Sequence, residues 1–357
     1  MSNRPRVAIT LGDVAGVGPE VVVRALAHDS LHRECRPVVV GSAEVMKRAA
    51  ALLGKPLTFF TVDGPTFESM PMEKQGLLHT PIPCWNPSSA DVSNLPAGVL
   101  DARAGAAAYD WLVAATQAAL DGRVDAIVTA PLNKAALHLA GHIYPGHTEI
   151  LAERCGVADF AMMLYLPPGE AVRGEFGLGV AHVTLHTSIR SVPGLLSTSA
   201  IREKIGLVDR FVRRIGCPQP RVGVCALNPH AGEQGLFGDE ESTLIAPAVH
   251  QATADRIHAI GPLPADTLLQ RAVGGEFDGV VAMYHDQGHI ALKLIGFHRA
   301  VNVTLGLPIV RTSPSHGTAF DIAWQGKARE DGLLEAIRIA VRLCGPAPRL
   351  EETRPVG

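Results

Sequence analysis

Short apolar runs alternate with longer amphipathic stretches along most of the chain. Runs of the buried-strand type, rich in β-branched residues, lie at 6–11, 36–41, 124–130, 220–227 and 279–283. Helical patterns occur between and after them, at 43–53, 105–120, 199–215 and 332–343. The runs 160–166 and 178–185 are close enough in the chain to form a hairpin. This alternation predicts an α/β fold with a largely parallel sheet.

A glycine-rich turn follows the first predicted strand. Gly12 to Glu20 separates that strand from the helical pattern that begins at Val21, and Pro19 suits a first helical turn. The amides of such a turn can hold an anion. The spacing G-x-x-x-G-x-G-P differs, however, from the G-x-G-x-x-G fingerprint of dinucleotide-binding folds. A structural turn and a ligand-binding role for Asp13 are both open.

Histidines follow the ends of three predicted strands: His186, His230 and His285. Strand ends at one edge of a parallel or mixed sheet are neighbours, so three imidazoles there would form a metal site with an open position for substrate. His182 would share the strand face of His186, and we favour the strand-end residue. From the residues alone, a catalytic histidine near its neutral pKa and a phosphate-binding histidine are the alternatives.

Three polar residues at nine-residue intervals suit an anion: Lys293, Asn302 and Arg311, flanked by strand-like stretches. Arginine and lysine on neighbouring elements form a clamp for carboxylate or phosphate. A clamp is favoured over a solvated face, because Asn302 and Arg311 lie within apolar runs. His147 and Thr148 precede another helical pattern, where they either donate to an anion or serve as an exposed residue and a helix cap.

Asp266 lies in the loop 261–267, where a further helix begins. As a single feature it favours the N-cap of that helix, because a carboxylate at this position accepts a backbone N–H. A catalytic carboxylate is the alternative.

Composition narrows the class of protein. The 357 residues are 47% hydrophobic and 19% charged, with a net charge of −3. These values are typical of a globular enzyme of about two domains, and they provide no basic field for nucleic acid. No apolar run reaches the ~20 residues of a membrane span, and we expect no signal peptide before the first strand. Six scattered cysteines without a C-x-x-C pair predict reduced thiols in a cytoplasmic protein.

Several of these segments together resemble the signature blocks of the PdxA family, the 4-hydroxythreonine-4-phosphate dehydrogenases of pyridoxal phosphate biosynthesis. The blocks are Gly-Asp-Val-Ala-Gly-Val-Gly-Pro-Glu, Gly-His-Thr-Glu, Asn-Pro-His-Ala-Gly-Glu, Tyr-His-Asp-Gln-Gly, Asn-Val-Thr-Leu-Gly-Leu-Pro, Arg-Thr-Ser and His-Gly-Thr-Ala, at 12–20, 146–149, 228–233, 284–288, 302–308, 311–313 and 316–319. They occur in this order over nearly the whole chain, and their joint occurrence is highly specific.

The resemblance implies a role for each candidate residue. A divalent cation (zinc, cobalt, magnesium or manganese) would be bound by His186, His230 and His285. Substrate would be bound by His147, Thr148, Lys293, Asn302 and Arg311. Asp266 and Lys293 are our candidates for proton transfer.

The resemblance also implies a fold similar to isocitrate and isopropylmalate dehydrogenases, which explains NAD(P) use without a Rossmann fingerprint. We expect a cofactor-side subdomain of residues 1–135 and 302–357. We expect residues 136–301 to carry the metal ligands and a dimer interface, with the active site in the cleft between the subdomains. Members of the family are homodimers with the active site at the subunit interface, so a second copy would contribute metal ligands.

The implied reaction is an NAD-dependent, metal-dependent oxidation, with decarboxylation, of a phosphorylated β-hydroxy acid, most directly 4-phosphooxy-L-threonine. The chain departs from the family pattern at Val14, at 184–190, at 233–238 and at His289. These departures resemble paralogous branches, some of which act on erythronate or threonate 4-phosphate and others on terephthalate cis-dihydrodiol. Those substrates are the alternatives.

Overall fold

The chain forms two compact units, one of residues up to Phe160 with Val301–Cys344 and one of Ala161–Ala300. The computed structural model describes residues 4–65 and 81–345; residues 346–357, assigned to the first subdomain from the sequence, lie outside them. The first boundary between the units follows Phe160, whereas the sequence predicted a boundary at residue 135. The reason is that two helices in 134–155 pack on the long helix at 102–120.

The strands are β1 (Arg6–Thr10), β2 (Arg36–Val40), β3 (Phe59–Val62), β4 (Ile82–Trp85), β5 (Ala126–Thr129), β6 (Ala161–Leu166), β7 (Leu178–His182), β8 (Arg221–Cys225), β9 (His258–Leu263), β10 (Gly279–Ala282), β11 (Val301–Leu305) and β12 (Arg311–Pro314). The helices are α1 (Gly18–Leu26), α2 (Asp29–Glu34), α3 (Ala43–Leu52), α4 (Ala102–Leu120), α5 (Lys134–Leu139), α6 (His147–Cys155), α7 (Val192–Leu195), α8 (Thr198–Arg214), α9 (Ala246–Ala254), α10 (Ala265–Val273), α11 (His285–Gly296) and α12 (Asp331–Cys344). Short 3-10 turns lie at Ile189–Ser191 and Pro229–Gly235, and a π-helical turn at Glu241–Ile245.

The sheet of the first unit is mostly parallel. Its strands follow the order β3-β4-β2-β1-β5-β12-β11. All neighbours are parallel except β12 and β11, which are antiparallel. The β-branched runs of β1 and β5 are fully buried between helices, as expected for parallel strands covered on both faces.

The sheet of the second unit is also mostly parallel. Its strands follow the order β6-β7-β10-β8-β9, with β6 and β7 antiparallel and the other pairs parallel. The predicted hairpin is therefore correct, and so is the amphipathic helix that became α8. The predicted α/β fold with a mostly parallel sheet is confirmed. No helix among residues 4–65 and 81–345 is long and apolar enough to cross a membrane.

Two predicted element boundaries are wrong. β7 ends at His182, so His186 lies in the segment beyond the strand rather than at its last position. α11 begins at His285, so Lys293 is a helical residue and not part of a strand-like stretch. Hydrogen bonds of the Gln287 side chain, described below, start this helix directly after β10.

The turn after β1 is built around buried carboxylates. Gly12 has a φ of +63°, and a Cβ there would lie 2.1 Å from the carbonyl oxygen of Pro131, so only glycine fits. In α1, Glu20 is fully buried and accepts the backbone N–H groups of Trp324 and Gly326. Glu20 therefore joins the turn to the segment before α12.

Asp13 is the less satisfied carboxylate of the turn. It is fully buried; one carboxylate oxygen accepts the backbone N–H of Ala15, and the other has no hydrogen-bond partner among the described residues. Burial raises the pKa of Asp13 to about 6, the Ala15 hydrogen bond opposes the rise, and the charge of Asp101 adds to it. The two interpretations of Asp13 as a turn residue and as a ligand contact are therefore both compatible with its environment.

The stability of the first unit should depend on the protonation of Asp13. Its pKa of about 6 in the folded chain exceeds the ordinary 3.8, so the folded state binds this proton more tightly. The stabilisation is fully present below about pH 4 and is lost as the pH rises through about 6. Asp13→Asn removes this titration, so the stability of the variant relative to the native chain should rise across that window by up to about 3 kcal/mol.

Thermal unfolding midpoints of both proteins at several pH values would measure the effect. Asp321→Asn, at an exposed carboxylate, is the matched control for the same chemical substitution outside the core. A pH-independent difference for Asp13→Asn would show that the carboxyl is not titrating in the folded state.

Candidate functional site

The start of α11 is fixed by one glutamine. Gln287 Oε1 accepts the backbone N–H of Met283 at 2.7 Å, and its Nε2 donates to the carbonyl oxygen of Ala226 at 2.8 Å. The first turn of α11 is thereby joined to the ends of β10 and β8. His285, the first residue of the helix, is held at this edge of the sheet, and its Nδ1 donates to Asp286 Oδ1 at 2.7 Å.

His186 and His285 line the same cavity in the second unit. The cavity has a volume of about 370 Å³, and Leu185, Ser188, Tyr284 and Asp286 also line it. The two imidazole centroids are 5.8 Å apart. These predicted metal ligands are therefore brought together, each from the segment after a different strand.

His230 lies on a strained turn. His230, Ala231, Glu233 and Gln234 all have a positive φ, from 43° to 56°, which forms a left-handed turn. Such backbone costs roughly 1–2 kcal/mol per non-glycine residue. The buried Glu241 accepts the backbone N–H groups of Leu227 and Asn228 at 2.8 and 2.7 Å, and this holds the start of the turn.

The three predicted metal ligands do not form a complete set in this conformation. Within residues 4–65 and 81–345, no three histidine, cysteine, aspartate or glutamate side chains are arranged to hold a metal ion. The donor chemistry of His285 nevertheless fits a cation. Its Nδ1 donates to a carboxylate, which leaves the lone pair on Nε2, as in metal-binding histidines. The metal assignment therefore stays a prediction.

Two further histidines lie behind His285. His289 is four residues later on α11, and its ring stacks on that of His285 with centroids 3.8 Å apart and an interplanar angle of 13°. His289 Nδ1 lies 3.1 Å from Nε2 of His182, the last residue of β7. Burial lowers the pKa of His182 to about 4. Burial, followed by the neighbouring charges, lowers that of His289 to about 2, so both rings are neutral.

The sequence contained a signal for this pair. Histidines at i and i+4 share a helix face, but the helical patterns predicted from the sequence do not include residues 285–296, so His285 and His289 were not paired. His182 was set aside in favour of His186.

The proton-transfer candidates Asp266 and Lys293 also lie in the second unit. Asp266 is exposed in the first turn of α10, and its carboxylate accepts the adjacent N–H of Thr267 at 2.8 Å. The N-cap of α10 is Pro264, so the N-cap interpretation of Asp266 is wrong. Lys293 is half-buried on α11, and its charge contributes to the lowered pKa of His289.

Arg311 is the most deeply buried cation among the substrate-binding candidates. Only 2% of it is exposed, and its Nη atoms donate to the hydroxyls of Thr304 and Thr129 at 3.0 and 2.6 Å. Its Nε is buried and has no hydrogen-bond partner among the described residues. Burial lowers the pKa of Arg311 to about 10, and Glu149 opposes the fall. A guanidinium held by neutral hydroxyls keeps most of its charge available for an anion.

Asn302 lies on the same face of β11 as Thr304, which accepts a hydrogen bond from Arg311. β11 and β12 are antiparallel with Asn302 opposite Ser313, and Thr304 lies two residues further on the same face of β11. Asn302 Oδ1 is buried and has no hydrogen-bond partner among the described residues. The first unit therefore offers an unsatisfied donor on Arg311 and an unsatisfied acceptor on Asn302.

His147 and Thr148 begin α6, whose N-cap is Gly146, so the interpretation of Thr148 as the helix cap is wrong. Thr148 is buried. Burial lowers the pKa of His147 well below its ordinary value, and the positive charge of Arg311 adds to the effect. His147 is therefore neutral and lies within the electrostatic range of Arg311, so the structure associates it with the first-unit part of the anion clamp.

The candidate residues thus form two sets. The first unit holds the candidates for anion binding, made of His147, Thr148, Asn302 and Arg311, of which Thr148 and Arg311 are buried. The second unit holds the imidazoles and the groups that can carry a proton, made of His186, His230, His285, Asp266 and Lys293.

Comparison with known proteins identifies the family. The family model described as "Pyridoxal phosphate biosynthetic protein PdxA" matches residues 33–340. D-threonate 4-phosphate dehydrogenase of Salmonella typhimurium is 45% identical over 94% of this chain and 98% of its own length. The crystal structure of a 4-hydroxythreonine-4-phosphate dehydrogenase from Klebsiella pneumoniae is 44% identical, covers 96% of this chain and 100% of that one, and gives a TM-score of 0.80.

A more distant solved structure carries the third activity that the sequence suggested. Terephthalate 1,2-cis-dihydrodiol dehydrogenase from Burkholderia xenovorans is 30% identical over 95% of this chain and 98% of that one, with a TM-score of 0.65. All three relatives are named dehydrogenases, which confirms the prediction of a dehydrogenase. The resemblance drawn from the signature blocks is confirmed as well, and the chain belongs to the PdxA family.

Proposed function

We propose that this protein is an NAD(P)- and divalent-metal-dependent dehydrogenase that oxidises and decarboxylates a phosphorylated β-hydroxy acid. 4-Phosphooxy-L-threonine, in pyridoxal phosphate biosynthesis, is the first candidate substrate. D-Threonate 4-phosphate (or the related erythronate 4-phosphate) is the second, favoured by the name of the Salmonella relative. The observation that carries the proposal is the buried guanidinium of Arg311, whose Nε has no hydrogen-bond partner within the described part of the chain.

The phosphate would be bound by the first-unit set. A buried charge without an ion-pair partner is costly, and an anionic ligand at Arg311 removes that cost. The neutral ring of His147 and the hydroxyl of Thr148 each provide a donor to phosphate oxygens. Asn302 Oδ1 is an acceptor, which suits a hydroxyl or ammonium group of the substrate.

The cation would be held by His186, His230 and His285. His186 and His285 already share a cavity wall, and the Asp286 carboxylate leaves the His285 lone pair on Nε2. A bound divalent cation supplies Lewis acidity that lowers the pKa of an alcohol and polarises a ketone. Zinc, cobalt, magnesium and manganese all suit such a site. A bound nicotinamide coenzyme accepts the hydride.

Proton transfer would fall to Lys293 and Asp266. The substrate hydroxyl loses its proton when its carbon loses hydride, and a proton returns to carbon when carbon dioxide leaves. Lys293 Nζ, on the same helix as His285, can take the first proton as a neutral amine or hold an anionic oxygen as an ammonium group. Asp266 does not cap α10, so its carboxylate remains available for the second transfer.

A homodimer with a shared active site is part of the proposal. Ile290, Leu294 and Phe297 are spaced to form one apolar face of α11, and all three are exposed, with 82% of Leu294 accessible. A second copy would bury this face next to the helix that carries His285 and Lys293. The cytoplasmic location is proposed from the six cysteines, none of which forms a disulfide with another described residue.

An NADH-formation assay tests the proposed reaction. Turnover should occur with 4-phosphooxy-L-threonine or D-threonate 4-phosphate in the presence of a divalent metal, and terephthalate cis-dihydrodiol should be a poor substrate because it lacks a phosphate. Erythronate 4-phosphate completes the panel. Turnover of the dihydrodiol alone would assign the chain to the aromatic-acid branch, and no NADH with any substrate would contradict the dehydrogenase proposal.

Loss of the Arg311 guanidinium should weaken substrate binding. Arg311→Lys keeps a charge but cannot reproduce the fork, and Arg311→Met removes the charge; KM should rise about 10- to 100-fold, the loss of one or two charge-assisted hydrogen bonds. Competitive inhibition by inorganic phosphate should weaken in parallel. Arg103→Gln, which removes an exposed ion pair with Asp101, is the control and should leave KM unchanged. An unchanged KM in both Arg311 variants would exclude the phosphate contact.

Metal removal should abolish turnover. Dialysis against EDTA should give an inactive protein, and Zn²⁺, Co²⁺, Mg²⁺ or Mn²⁺ added back one at a time should identify the cation. His285→Ala should lose metal binding, whereas His250→Ala, at an exposed histidine of α9, should not. Full activity after exhaustive dialysis would refute the metal proposal.

A further inference from the structure

The tautomers of three histidines in the second unit follow from their hydrogen bonds. His182 Nδ1 lies 3.3 Å from the carbonyl oxygen of Met162, which can only accept, so Nδ1 carries the proton and Nε2 carries the lone pair. His289 Nδ1 must then donate to His182 Nε2. Each ring is thus fixed by a partner that permits one tautomer.

The fixed ring of His289 covers one face of His285. The two rings are nearly parallel at 3.8 Å, and His289 is only 6% exposed, so it has little space to rotate. The edge of His285 is held by Asp286 through Nδ1. His285 is therefore restrained on an edge by a carboxylate and on a face by an imidazole that β7 holds in place.

Gly288 permits this arrangement. A Cβ at that position would lie 2.6 Å from His182 Nε2 and 2.7 Å from a methyl group of Val180. Any other residue would push α11 away from β7 and lengthen the hydrogen bond between the two histidines. The residue pair Gly288-His289 thus brings the second ring onto His285.

We propose that His289, anchored by His182, is a positioning residue that holds the imidazole of His285 in the orientation required to bind a divalent cation. The inference rests on the proposed metal role of His285. It adds two residues behind the ligand that have no contact with the cation themselves. Partners of a metal-binding histidine that fix its ring typically change metal affinity by about 10- to 100-fold.

Two variants separate the ring of His289 from its hydrogen bond. His289→Leu removes both the ring and the bond, and His289→Phe keeps an aromatic ring but loses the bond. Both leave His182 Nε2 equally unpaired, so the difference between them reports the stacked ring. Both fill the buried space, and thermal unfolding of the metal-free proteins would show that they fold.

The dissociation constant for Co²⁺, measured by competition with a chromogenic chelator, is the decisive readout. It should rise about 10- to 100-fold in His289→Leu and stay within a few-fold of the native value in His289→Phe. The visible spectrum of bound Co²⁺ should change in the leucine variant, which a purely structural residue would not cause. His285→Ala should bind no Co²⁺.

The possible results separate the two proposals. Native affinity in His289→Leu, with binding lost in His285→Ala, would overturn the positioning role and leave the metal site intact. Equal weakening in the leucine and phenylalanine variants would overturn positioning by the stacked ring, because the lost hydrogen bond to His182 would then account for the whole effect. A native protein that binds no Co²⁺ at all would overturn the metal assignment itself and the positioning role with it.

Discussion

A buried polar group is stable only where a partner replaces the water it has lost. The polar side chains inside this chain divide according to whether that partner is present. Glu20 and Glu241 are buried, and their carboxylates accept hydrogen bonds from backbone N–H groups. These hydrogen bonds stabilise the fold. Arg311 Nε, Asn302 Oδ1 and one oxygen of Asp13 lack any partner among the described residues. This contrast separates carboxylates that the protein itself satisfies from polar atoms that a ligand could satisfy.

The same constraint explains which parts of the fold could be predicted from the sequence. Buried parallel strands need continuous apolar runs, and those runs appear directly in β1, β5, β8 and β10. Asn302 and Arg311 were identified because a polar residue inside such a run costs free energy of folding unless a partner or a ligand satisfies it. The family blocks assigned metal-binding and substrate-binding roles to the other candidates, because residue spacing alone cannot relate His186 to His285 across the intervening chain.

The error at the start of α11 has its physical origin in the hydrogen bonds of one side chain. Gln287 fixes the start of α11 through bonds to Met283 and Ala226, and nothing in the local propensity of Tyr284-His-Asp-Gln-Gly predicts that. Gly146 and Pro264 took the N-cap positions that Thr148 and Asp266 were expected to fill. The left-handed turn of His230 is likewise unpredictable from its sequence, because four non-glycine residues with a positive φ contradict every local preference.

The chain departs from the family pattern at His289, and the packing of α11 against β7 gives a physical reason for this departure. Leucine at 289 would leave His182 Nε2 buried without a partner. An apolar residue at 182 would likewise leave His289 Nδ1 without a hydrogen-bond acceptor. Each single change costs an unsatisfied polar group, so the two histidines are expected to be exchanged together or retained together. Gly288 joins them, since a Cβ there would fill the space that the hydrogen bond requires. These three residues are far apart or inconspicuous in the sequence, yet they pack together, and His289 contacts the ring of His285.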